Sequence, residues 1–378
     1  MSKINNSHLP PPSSLLHPPF SFPPLFIRSD STPQIGTGHI MRCIALAQAW
    51  QDRGGKVTFI SHCETDTLRQ RIMDEGFDFI PIENPYPDPS DLSQTLAHLK
   101  SLFPPPSSVL HPPSSILRPP TWLILDGYHF TPDYQKAIRD AGIHLLVIDD
   151  MNHLPYYHAD ILLNQNIHAT ELKYHCDKDT KLLLGTKYVL LRREFLRYRG
   201  FKRHIPEKAK KILVTLGGAD PDNVTLKVVK ALNLIGDPDL EVKIVVGPSN
   251  PHIESLKREI LRSPFSVLLL PSVSNMADLM AWADVAISAG GSTLWELCFM
   301  DVHSIVITVA DNQEEVVRYL GQIGLVYNFG RFREIKDQEL AHQIDELIKQ
   351  FKKRRIMSKL FQNMIDGNGI YRVLERML

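Results

Sequence analysis

The chain has 378 residues, 43% hydrophobic and 22% charged, with Lys+Arg and Asp+Glu both at 42 and a formal net charge of zero. That length suits two domains that each bury a core, and the composition is that of a globular protein. The balanced charge excludes a global basic field for nucleic acid or an anionic membrane surface.

Two stretches differ from the rest, "PPPSSLLHPPFSFPP" (Pro10–Pro24) and "PPPSSVLHPPSSILRPP" (Pro104–Pro120). Proline removes backbone donors and blocks helix and central strand, so neither is expected to join a core. Residues 1–24 read as a disordered tail and 104–120 as a loop inserted before a strand. A Pro-rich ligand for a partner domain is the rival reading.

From Leu25 the chain alternates strands and helices. Leu25–Arg28 is a short strand, followed by a glycine-rich turn and a helix whose Ile40, Cys43, Ile44, Ala47 and Trp50 recur at helical spacing. Gly54-Gly55 stops that helix. Lys56–Ile60 is a strand, Thr65–Gly76 a helix and Phe77–Ile82 a strand. Thr121–Asp126, His144–Asp150 and Ala159–Asn164 are near-continuous apolar runs, as parallel strands buried on both faces require. Phe201–Lys211 is polar and basic and is read as a linker. The alternation then restarts with "ILVTLGG", "DNVTLKVVKALNLI", "EVKIVVG", "VLLLPSVSNMADLMAWA", "DVAISAGG", "STLWELCFM", "SIVITVA" and "NQEEVVRYLGQIG". Two α/β units in tandem leave a cleft onto which the carboxyl ends of both sheets can open. "REILR" (Arg258–Arg262) and "KKRRI" (Lys352–Ile356) read as solvated helix faces.

Five places carry chemistry. In Gly36-Thr37-Gly38-His39-x-x-Arg42 the glycines permit a tight turn, and the helix start offers free N–H groups and a positive dipole end to an anion, a phosphate or pyrophosphate. His39 overhangs that spot, where positive potential favours a neutral imidazole able to take a proton. A plain β–α turn is the bland reading of the same residues, and the third glycine of the dinucleotide fingerprint is missing. Gly290-Gly291-Ser292-Thr293 opens another helix and can hold phosphate oxygens, with Glu296 one turn on to accept ribose hydroxyls or simply to complement the helix dipole. Gly217-Gly218 ends a strand before a helix that Asp222 would cap. Asn312 and Gln313 can bond a sugar's hydroxyl or acetamido groups, the bland reading being that Asp311 or Asn312 caps a helix. Asp126 and Tyr128 lie at the carboxyl end of a strand, on the cleft side.

Cys43, Cys63, Cys176 and Cys298 form no C-x-x-C pair, disulfide framework or zinc spacing. A reduced, cytoplasmic protein with no metal and no cofactor is expected. No apolar run reaches the length of a membrane span and the N-terminus lacks the apolar core of a secretion signal, so no stable membrane insertion is expected.

"RSDSTPQIGTGHIMRC", "GTKYVLLRREF", "VTLGGADPDN", "AISAGGSTLWE", "ADNQ" and "MIDGNGIYRV" occur in this order and together resemble the UDP-2,4-diacetamido-2,4,6-trideoxy-β-L-altropyranose hydrolases of pseudaminic acid biosynthesis. The resemblance runs from about Phe26 onward. It implies an α/β fold of two Rossmann-like domains in a GT-B arrangement with a cleft between them, similar to nucleotide-sugar glycosyltransferases such as the UDP-GlcNAc transferase that makes lipid II. The expected divisions are residues 25–200, 201–355 and a C-terminal helix 356–378 that crosses back to the first domain. The resemblance also implies that the second domain binds most of the UDP and that His39 is the general base. The two Pro-rich stretches depart from the family.

The expected function is hydrolysis of the UDP-sugar at C1–O with inversion, by a monomer or weak oligomer whose partner is its UDP-sugar substrate and not nucleic acid. UDP leaves readily, so the carboxylic acid of ordinary glycosidases is dispensable. Two other readings are a glycosyltransferase with a sugar or lipid acceptor and a nucleotide-sugar-binding protein without turnover.

Overall fold

The computed structural model describes residues 22–32, 34–101, 121–247, 250–271, 273–361 and 364–378. The insertion 104–120 and most of the expected tail 1–24 lie outside the described residues.

Strands β1 (Leu25–Ser29), β2 (Val57–Ser61), β3 (Asp78–Pro81), β4 (Trp122–Asp126), β5 (His144–Ile148), β6 (Ile161–Asn164) and β7 (Lys181–Leu184) make one sheet in the order β3-β2-β1-β4-β5-β6-β7. Strands β8 (Lys211–Thr215), β9 (Glu241–Val246), β10 (Ser266–Pro271), β11 (Val285–Ala289), β12 (His303–Thr308) and β13 (Tyr327–Arg331) make a second, in the order β10-β9-β8-β11-β12-β13. Every pairing in both is parallel. Around the first sheet lie α1 (Gly38–Gln51), α2 (Asp66–Asp74), α3 (Pro89–Ser101) and α4 (Pro132–Asp140). After the short α5 (Arg193–Leu196) come α6 (Val224–Ile235), α7 (Ile253–Ile260), α8 (Met276–Trp282), α9 (Thr293–Phe299), α10 (Glu314–Gln322), α11 (Asp337–Lys349), α12 (Phe351–Phe361) and α13 (Gly369–Met377).

Each sheet is covered on both faces, which is why its central strands are buried along most of their length and mostly apolar. Leu25 and Ile27 of β1 enter one core and Phe26 another, while β8 sends Ile212 and Val214 one way and Leu213 the other. The stripe read from the sequence on α1 is buried: Ile40, Cys43, Ile44, Ala47 and Trp50 are all fully enclosed. The Trp50 indole N–H donates to the Pro23 carbonyl at 2.8 Å. In both sheets the strand order reverses beside the first strand, between β1 and β4 and between β8 and β11. Loops leaving neighbouring strands diverge there, and a crevice opens at their carboxyl ends.

Several expectations shift. Val189, Leu191 and Phe195 pack into the second domain's core, so the chain has changed domains before the polar 201–211 segment. The single C-terminal helix expected over 356–378 is two helices. Met357 and Phe361 of α12 stay with the second domain, whereas Ile370, Val373, Leu374 and Met377 of α13 join the core that holds α1. The return meets the outward crossing directly, since a Cβ on Gly369 would come 2.3 Å from the Val189 carbonyl oxygen. "KKRRI" is not wholly a solvated face. Arg354 is buried, and its Nη2 donates to the carbonyls of Pro206 and Glu207, both at 2.9 Å, and of Ile348 at 3.1 Å. The helix α3 and the edge strands β7 and β13 were not among the expected elements.

His303, at the start of β12, is buried with no hydrogen-bond partner on either ring nitrogen. Burial, then the charges of Arg354 and Arg203, push its pKa down to about 3. The unfolded chain takes up this proton near pH 6.5 and the folded chain refuses it until about pH 3, so folding stability should fall as pH drops through that window. His303→Phe should flatten this acid limb by something on the order of a few kcal/mol, read from denaturant melts at stepped pH. An unchanged slope would mean another group drives the acid transition.

Candidate active site

A cleft of about 810 Å³ lies between the carboxyl ends of the two sheets and is lined from both domains. On the first-domain side β1 runs into a turn in which Gly36 takes φ +77°, a conformation costly for any side chain, and α1 then starts at Gly38. No side chain caps α1 and its first turn holds no acidic residue. Its leading N–H groups and positive dipole end therefore face the cleft without an internal anion.

His39 stands on this first turn. Its Nδ1 lies 2.6 Å from Oδ1 of Asp126, at the end of β4. A carboxylate can only accept, so the short bond to Asp126 places a proton on Nδ1, with Arg42 Nη2 also 3.2 Å from that nitrogen, and in the neutral ring Nε2 holds the lone pair. Arg42, one turn along α1, donates Nε to Asp126 Oδ2 and Nη2 to Oδ1, both at 2.7 Å, and Nη1 to Asp150 Oδ2 at 2.7 Å. Asp126 is fully buried. Burial alone would raise its carboxyl, but Arg42 and then His39 outweigh this and hold it well below the usual carboxylate range. Asp126 is thus a fixed acceptor that sets the His39 ring. It does not line the cleft, which corrects its expected place among the substrate contacts. Arg42 does reach the lining, but its guanidinium is taken up by two carboxylates.

Tyr128 packs edge-on against His39, ring centroids 4.8 Å apart. Its hydroxyl donates to Asp150 Oδ2 at 2.5 Å and accepts from Asn312 Nδ2 at 3.1 Å. Burial and the Asp150 charge raise the phenol's pKa, so it stays protonated. Asn312 belongs to the second domain, and this bond closes across the cleft.

On that second side, Gly217 has φ +100° and a Cβ on Gly218 would approach Thr37 Cγ2 to 3.4 Å, so two glycine turns from different domains nearly touch. Gln313 uses Oε1 to accept from the N–H groups of Gly290 and Val309, both at 3.1 Å. It braces the Gly290–Thr293 turn, which was expected to meet phosphate. The start of α6 is already occupied. Asp220, not the expected Asp222, accepts from Val224 N–H at 2.8 Å and Thr225 N–H at 2.9 Å. Glu296 is buried on Arg192, whose Nε and Nη2 reach its Oε1 at 3.1 and 2.8 Å, and it is absent from the lining. The other expected residues line the cleft together with His39: Gly36, Gly38, Arg42, Tyr128, Gly217, Gly218, Gly290, Gly291, Ser292, Thr293, Asn312 and Gln313. Sequence reasoning missed Asp150 and Asn166, whose Nδ2 donates to Asp150 Oδ1 at 2.9 Å. An acid at a strand's carboxyl end, in "HLLVIDD", was the available signal for the first.

Residues 211–369 match the glycosyltransferase family 28 C-terminal domain. The UDP-2,4-diacetamido-2,4,6-trideoxy-beta-L-altropyranose hydrolase of Campylobacter jejuni subsp. jejuni is 27% identical over 304 residues, which cover 79% of this chain and 97% of that protein. An uncharacterized protein of Methanocaldococcus jannaschii, MJ1062, is 27% identical over 298 residues, 76% of this chain and 56% of its own length, so the chain spans little more than half of that relative. The crystal structure of Acinetobacter baumannii MurG superposes with a TM-score of 0.62 at 14% identity, over 94% of this chain and 99% of MurG, a likeness of fold. The chain is a relative of the UDP-diacetamido-trideoxy-altropyranose hydrolases, folded as two Rossmann-like domains in the GT-B arrangement.

Proposed function

We propose that this chain hydrolyses UDP-2,4-diacetamido-2,4,6-trideoxy-β-L-altrose, with His39 as the general base. The observation that carries the reading is the His39 Nδ1 to Asp126 bond of 2.6 Å on a ring that lines the interdomain cleft. With Nδ1 committed, Nε2 takes a proton from water while the water oxygen bonds to the anomeric carbon. The C1–O bond breaks and its electron pair leaves on the UDP phosphate. Attack from the face opposite UDP inverts C1. The open start of α1 and the backbone N–H groups of the Gly290–Thr293 turn answer the growing phosphate charge.

The match of residues 211–369 to a glycosyltransferase domain favours one second reading, in which an acceptor hydroxyl replaces water in the same cleft. UDP release measured without acceptor separates the two. Release only when an acceptor is added would overturn the hydrolase.

His39→Asn should lower kcat by about 10²–10⁴ with UDP affinity unchanged, the range ascribed to positioned general bases. Asp126→Asn should also lose most turnover, because an amide can donate to Nδ1 and so permits the wrong tautomer. Wild-type kcat in His39→Asn would remove the base. Gly290→Ala should cost about 1–3 kcal/mol of stability in a thermal melt and weaken UDP binding, since its Cβ would lie 2.4 Å from Val317 Cγ2 and 2.9 Å from Gln313 Cβ.

A further inference from the structure

The turn after β4 carries a second anchored imidazole. His129 Nε2 lies 3.0 Å from Oδ2 of Asp30, a buried residue in the loop that follows β1. The Arg28 guanidinium bonds both Asp30 oxygens, and the His62 backbone N–H donates to Oδ1 at 2.7 Å. Burial alone would raise this carboxyl. The bond from His129 and the charge of Arg28 bring it down to about 2. Asp30 is therefore a standing acceptor, which makes Nε2 an N–H, and in the neutral ring Nδ1 holds the lone pair. No protein group among the described residues bonds Nδ1, and His129 lines the cleft.

The ring's place is built by its neighbours. A Cβ on Gly127 would stand 2.7 Å from His129 Cε1 and 3.1 Å from Nδ1. Phe130 packs on the imidazole with centroids 4.1 Å apart. One four-residue turn, Asp126 to His129, thus serves two imidazoles: its first residue orients His39, and its last is oriented by Asp30. Tyr128 stands between, against His39 and bonded through Asn312 to the second domain. With the nucleotide on the second domain and C1 beside His39, the wall carrying His129 is left for the rest of the sugar.

We propose that His129 is a sugar-recognition residue whose Nδ1 accepts a hydrogen bond from an N–H or O–H substituent on a ring carbon away from C1. This rests on the reading of the cleft as a UDP-sugar site. Selection follows from the chemistry, because a sugar with no donor at that carbon leaves the lone pair desolvated and unmet.

The test is calorimetric, in a His39→Asn background so that the sugar nucleotide survives. Dissociation constants are measured for UDP and for UDP-2,4-diacetamido-2,4,6-trideoxy-β-L-altrose, and their ratio isolates the sugar. Adding His129→Phe should cut that ratio about tenfold, the loss of one hydrogen bond, while UDP alone binds as before. Gly127→Ala, which pushes the ring aside, should act in the same direction, and His129→Gln, which keeps an acceptor oxygen, should restore part of it. An unchanged ratio in His129→Phe overturns the proposal. So does a parallel loss of both ligands, which would make His129 a support of the fold. Turnover of the unmutated chain is scored separately: failure to release UDP sinks the hydrolase while the ratio still reports on His129.

Discussion

A carboxylate with no water around it must be matched from within, and Asp126 is that carboxylate. Arg42 supplies the match through two bonds, and a third from the same guanidinium ties in Asp150. These contacts join the first two turns of α1 to the ends of β4 and β5, on one flank of the place where the strand order reverses. The geometry around His39 follows from this arrangement. If α1 were rotated by one residue, both His39 and Arg42 would leave Asp126, and the buried charge would be stranded. The penalty for that keeps the imidazole in register.

The same logic distributes roles among the helix starts that border the cleft. At α6 an internal carboxylate, Asp220, already occupies the leading N–H groups. At α1 nothing does. The second kind keeps its leading N–H groups open, and the first serves to hold the glycine turn after β8. Gln313 does comparable service for the Gly290 turn. The cleft is thus shaped by side chains whose polar atoms are largely spent inward, leaving backbone N–H groups and the second ring nitrogens of His39 and His129 on its walls.

Much of this was legible in the residues. Buried parallel strands announce themselves as apolar runs, and a spacing of three puts His39 and Arg42 on one helix face. What was not legible is pairing over distance. Arg42 and Asp126 stand 84 positions apart, and nothing local says that Asp126 pairs with an imidazole and a guanidinium from α1. Asp220 and Asp222 are equally plausible caps until Asn223 turns left-handed, at φ +53°, and brings the former under the helix. "KKRRI" has the composition of a solvated face, and only three carbonyls from other segments make Arg354 an exception. The edge strands β7, "KLLL", and β13, "YNFGR", were missed because they are four and five residues long and mostly exposed or half-buried, without the long apolar run of a central strand.

The polypeptide passes between its halves twice, outward near Val189 and back at Gly369, and the two passages touch. Arg372 reinforces the seam by donating to the Lys187 carbonyl at 2.9 Å. Two adjacent threads sewn along one line behave like the spine of a book. Any displacement of one half along the other has to break both threads' contacts at once, because the backbone of Gly369 lies directly against that of Val189.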